Sequence, residues 1–208
     1  MTQTLNGLFD RYDDAQRAVK DLEAVGVPHR DISIVASNAS GEHAVDGRAT
    51  TAGTADEAAR DAGSGAGIGA ALGGAGGLLA GLGLLAIPGV GPVVAAGWLV
   101  STAVGALGGA AIGGATGGLI GALTKAGVPE EDAHVYAEGV RRGGTLVTAR
   151  VQDALVPTAR AALGDGSTVN VAARREAYRT QGWTRFDDNA PAYNADQVLA
   201  ERQRFTRI

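Results

Sequence analysis

Apolar positions in the first 36 residues change period twice. Leu5 to Phe9 reads as a short strand, after which Ala15, Ala18, Val19, Leu22 and Val25 recur at helical spacing and predict a helix from about Asp13. Asp13 and Gln16 have capping-box spacing, and Gly26 with Pro28 supplies the stop. Asp31 to Ala36 predicts a second strand, so this segment is a βαβ unit. The pattern resumes after residue 125. Pro129-Glu130-Glu131-Asp132 places proline and acids at a helix start, where the exposed amide dipole favours them, and Ala133, Tyr136, Ala137 and Val140 form its apolar stripe. Arg141 and Arg142 suit its carboxyl end before Gly143-Gly144. Thr145 to Val151 alternates as a strand with Val147, Ala149 and Val151 on one face. A helix over Asp153 to Leu163, with Pro157 in its first turn, and a short strand over Ser167 to Val171 follow.

With the Glu130 helix and the middle of the chain set aside, the order is βαββαβ, an α+β, ferredoxin-like split domain. Its halves are residues 1–36 (βαβ) and 125–172 (αβαβ). Residues 37–61, rich in Ala, Gly, Thr and Asp, read as a flexible linker.

Between the halves, Ala62 to Thr124 holds no charged side chain, and 21 of its 63 residues are glycine. Gly65, Gly69, Gly73, Gly77 and Gly81 recur every fourth residue, as do Gly105, Gly109, Gly113, Gly117 and Gly121. That spacing puts small residues on one stripe of a helix and lets two backbones approach closely. Residues 62–124 are therefore expected to form a glycine-zipper membrane hairpin, with spans over Ala66 to Ile87 and from about Val93 to Leu123. Pro88, Gly89, Gly91 and Pro92 make the reversal. The amino terminus lacks the basic region of a signal peptide, and all 18 Lys and Arg residues lie outside the hairpin, so both termini are expected on the cytoplasmic side.

Composition narrows the chemistry. A net charge of −4 gives no basic field for nucleic acid, so none is expected as a partner, and the absence of cysteine excludes disulfides and thiolate catalysis. Gly65-Ala66-Gly67-Ile68-Gly69 begins a match to a dinucleotide pattern, but the glycines continue without a preceding strand or a later acidic ribose partner. Lys20 and Lys125 are the only lysines, so no phosphate loop is completed. His29, His43 and His134 lack metal-ligand spacing, and Asp13-Asp14 and Glu130-Glu131-Asp132 read as helix-start charges. No catalytic, cofactor-binding or metal-binding residue is assigned. Residues 173–208 form an Arg/aromatic tail, expected to be partly disordered or to meet lipid headgroups or a protein.

Gly7-Leu8-Phe9-Asp10, Ala15-Gln16-Arg17-Ala18-Val19, Asp31-Ile32-Ser33, the run Gly127 to Ala133, Tyr136-Ala137-Glu138-Gly139 and Arg142-Gly143-Gly144 together resemble bacterial general stress proteins of the 17M type, with a heat-induced stress domain. The likeness spans roughly residues 4–172, including the Ile87-Pro88-Gly89 turn. It implies bacterial origin, stress-linked expression and membrane association, and brings no catalytic residues. The expected function is a noncatalytic stress protein of the bacterial inner membrane that binds lipid and self-assembles through its glycine ladders. Its soluble domain is expected to meet an unidentified protein partner. The alternatives are an oligomeric membrane pore or gate, and a soluble homo-oligomeric shell or scaffold that buries the hairpins.

Overall fold

The computed structural model of the chain describes residues 1–41, 83–99, 118–164 and 166–206. Within them five strands, β1 (Thr2–Phe9), β2 (Ile32–Ser37), β3 (Gly83–Ile87), β4 (Gly91–Gly97) and β5 (Thr145–Gln152), form one sheet in the order β1-β5-β2-β4-β3. Every neighbouring pair is antiparallel. The described helices are α1 (Tyr12–Ala24), α2 (Gly118–Lys125), α3 (Glu130–Arg141), α4 (Val156–Leu163), α5 (Val171–Arg179) and α6 (Ala195–Thr206).

Strand alternation sorts the core into two layers. Val147, Ala149 and Val151 of β5 share a face, as their spacing predicts, and meet Leu5, Phe9, Ile32 and Ile34 together with Val19 and Leu22 of α1 and Leu163 of α4. On the other face Leu8, Val35 and Leu146 pack with Val93 and Ala95 of β4 and with Leu123, Ala137 and Val140 of α2 and α3. β2 lies between β5 and β4, so all six of its residues are buried. Each large aliphatic side chain so buried contributes about 1.5–3 kcal/mol relative to exposure.

The middle of the chain departs most from expectation. Residues 83–87 and 93–97, expected as the ends of two membrane helices beside the turn, are strands of a β-hairpin that also takes in Gly91 and Pro92, and β4 extends the sheet by pairing with β2 from Ser33↔Gly97 to Ser37↔Val93. Pro88 and Gly89 do make the reversal, with Gly91 and Pro92 opening β4, but the turn joins strands. Short uncharged runs of aliphatic residues fit a doubly covered strand as well as a helix, and β2 offers an unpaired edge that only a strand can use. Trp98 fixes the far end: its Nε1 donates to the Asp31 carbonyl at 3.0 Å, and the Arg150 guanidinium lies 4.5 Å from its ring centroid. Among the described residues no helix is long and apolar enough to cross a membrane. Gly65, Gly69, Gly73, Gly77, Gly81, Gly105, Gly109, Gly113 and Gly117 lie outside the described residues. Gly121 sits in α2, whose Leu119, Ile120, Ala122 and Leu123 are buried in the domain's own core.

Three smaller corrections concern element ends. α1 starts at Tyr12 after Arg11, which makes no side-chain cap, so Asp13 lies inside the first turn and the capping box is not formed. The helix expected from Asp153 begins as a short 3-10 turn, Asp153–Leu155, before α4. The last strand, expected over Ser167–Val171, is reduced to a Phe9↔Thr168 bridge and a bond from the Val169 amide to the Leu8 carbonyl. Asn170 ends it, because its side chain accepts from the Ala173 amide and starts α5.

Candidate functional site

α3 ends where its charge becomes buried. Glu138 is fully buried, and helical spacing brings Arg141 (i+3) and Arg142 (i+4) onto the same carboxylate oxygen at 2.8 and 2.6 Å. Arg142 also donates from Nη1 to Glu201 of α6 at 2.8 Å and to Gln181 at 2.5 Å. Glu201 accepts in turn from Arg204 at 2.9 Å. A second centre forms beside it, where Arg174 of α5 makes a forked pair with Asp10 at 2.8 and 2.7 Å.

Aromatic rings fill the space between these centres. The fully buried Tyr178 lies edge-on to Trp183 and Phe205, with centroids at 5.7 and 6.3 Å. The Arg142 guanidinium stands 4.1 Å from the Tyr178 centroid, and that of Arg174 stands 3.6 Å from Phe205. Burial opposes the charge of Arg142, but hydrogen bonds and charge from Glu201 and Glu138 outweigh it and raise its pKa above the ordinary arginine range. Arg174 is likewise raised, its desolvation overcome chiefly by Asp10.

Burial also pushes Tyr178 up to about 12 against the opposing charges of Arg174 and Arg142, and pushes Tyr136 to about 12 with help from Asp132. A folded pKa above the unfolded value means that the unfolded chain loses these protons first. The stability each buried phenol carries is therefore intact below pH 10 and lost as pH rises through about 12. An ultraviolet difference titration is expected to show these two tyrosines ionising about two units late in the folded protein; ordinary titration of both with the fold intact would contradict their burial.

The arrangement binds parts of the chain to one another. The space left among Asp10, Arg142, Arg174, Tyr178, Glu201 and Phe205 is about the size of one water molecule. Among the described residues no group of three or more His, Cys, Asp or Glu side chains is placed to hold a metal. His29 pairs with Glu23 at 2.7 Å, and His134 lies 3.7 Å from Glu130. The expectation of a partly disordered tail is corrected over residues 171–206, where α5 and α6 dock on α3 and the end of β1. Arg174, Tyr178 and Phe186 are interior, not presented to headgroups. The missed signal was Arg/aromatic interleaving itself: facing Glu138 and Asp10, it marks an intramolecular interface as readily as a lipid surface.

Residues 4–88 match the family model of the heat induced stress protein YflT domain. No curated protein matches the chain, and no solved structure does. The matched stretch runs from β1 to the β3–β4 turn.

Proposed function

We propose that this chain, whose heat induced stress domain over residues 4–88 supports a place among the general stress proteins, is a noncatalytic member that self-associates through its glycine ladders. The order β1-β5-β2, with α1 and α4 on one face, is the core of the ferredoxin-like split domain in this reading, and serves as the interaction module. The observation that carries the proposal is the β3–β4 hairpin joined to β2, which glycine-rich residues 62–82 precede and 100–117 follow in the chain. Each carries a four-residue glycine repeat, suited to close backbone packing between copies.

The sheet also constrains the membrane reading. Residues 62–82 and 100–117 number 21 and 18, enough for about one crossing each at roughly 20 residues per helix, whereas leaving and rejoining one domain requires two. The lipid association proposed here is therefore interfacial or re-entrant, with both termini on the cytoplasmic side of the inner membrane. A soluble homo-oligomeric scaffold is the second reading, favoured by α2, whose apolar residues lie against the domain. The same arithmetic weighs against a pore.

Cross-linking in isolated membranes and in the soluble fraction tests both. Gly73→Leu and Gly113→Leu each raise hydrophobicity while blocking close approach, so bound protein should hold or rise as cross-linked oligomer falls. Retention after a carbonate wash supports the lipid reading, and ladder-dependent oligomers confined to the soluble fraction support the scaffold. If both variants cross-link like wild type, the ladders are not the assembly surface.

A further inference from the structure

The C-terminal segment crosses the one turn that the glycine-rich run contributes to the described sheet. Phe186 is buried with Ile87, Val90 and Val93, so its ring sits beneath the β3–β4 turn. Gly89 and Gly91 have φ of +71° and +98° and no side chain, and the segment lies against both. A Cβ on Gly89 would come within 2.6 Å of the Asp188 Cα and 2.7 Å of the Asp187 carbonyl oxygen, and one on Gly91 within 2.6 Å of the Ala192 Cβ. Asp187, Asp188, Asn189, Pro191 and Ala192 are exposed. The segment is thus held mainly at its two ends, by Phe186 and Tyr193. The Arg141 guanidinium reaches both, 5.7 Å from the Phe186 centroid and 5.4 Å from that of Tyr193, and Arg142 stands 5.6 Å from Tyr193.

We propose that Phe186–Tyr193 is an autoinhibitory strap, which while seated on the β3–β4 turn covers Gly89 and Gly91 and limits self-association. The inference rests on the self-association proposed above and adds its regulation. An exposed stretch fixed at two aromatic ends can lift without opening the sheet, because Arg142, Glu138 and Glu201 hold α6 independently of the turn. Lifting frees Gly89 and Gly91, at the centre of the uncharged run, for contact with a second copy.

Phe186→Ala and Tyr193→Ala in the full chain test the strap. Tyr193 is only partly buried, so its replacement opens no core cavity even if Phe186→Ala lowers stability. Hydrogen exchange of the Val90, Gly91, Val93 and Val94 amides should speed up in both, and self-association measured by sedimentation should strengthen by about tenfold, within the usual range for coupled sites. Adding Gly73→Leu should cancel that gain. Faster exchange with unchanged association overturns the strap, and so does unchanged exchange in a folded variant. Association indifferent to Gly73→Leu in wild type and variants alike overturns instead the ladder-based function, which keeps the two failures distinct.

Discussion

Replacing Arg142 by methionine is expected to lower the unfolding free energy by about 3–5 kcal/mol, the usual cost of breaking a buried ion pair by removing one member. Arg142 is 6% exposed and serves Glu138, Glu201 and Gln181 together, so its loss takes one of two arginine partners from an acid on each of two elements. The destabilisation should come from the buried acids, each left with a single arginine, and not from the missing cation. Arg142→Met combined with Glu201→Leu removes the inter-helix pair while leaving Glu138 to Arg141, and is expected to be less destabilised than Arg142→Met alone. Denaturant melts of wild type, Arg142→Met, Glu201→Leu and the double variant decide this. A double variant as unstable as the sum of its parts would show that Arg142 acts through packing on Tyr178.

The second large effect lies at the end of β4. Gly97 has φ of +95°, and a Cβ there would run into the Ile32 carbonyl oxygen and lie 2.7 Å from the Ser33 Cα. Ser33 is buried beside it, donating to the Ala96 carbonyl at 2.7 Å and accepting from the Leu99 amide at 3.3 Å. Gly97→Val combines a disfavoured backbone with overpacking, for a cost of about 2–5 kcal/mol. Hydrogen exchange across Ser33 to Ser37 should rise with it, because this is where β2 and β4 meet. A variant with wild-type stability and protection would mean that the hairpin does not depend on this close approach.

Much of the domain was legible because its period was unambiguous. The stripe of α1 and the alternation of β5 each fit one template, and both face the core as their spacing predicts. The hairpin was not legible. Over Gly83–Gly97 the chain offers glycine, proline and aliphatic residues with no charge to mark a polar face, so a membrane helix and a buried strand look alike until the open edge of β2 is known. The charged centre was half legible. Arg141 and Arg142 stood out as a helix end, but nothing local showed that Glu138 would be buried or that Glu201, 59 residues beyond Arg142, would complete it. Asn170 was readable as a cap and outweighed the weak strand signal at Val169 and Val171.

The register of β1 has a consequence for how the protein is made. Phe9 pairs with Thr145 and Thr2 with Gln152, so β1 leaves the ribosome at least 136 residues ahead of its ladder partner among the described strands. At about 5–20 residues per second that is a wait of roughly 7–27 s, during which β1 is without that partner and the whole uncharged run emerges. A chaperone that holds nascent chains therefore has a defined interval in which to act, opening with the emergence of β1 and closing with the synthesis of Gln152.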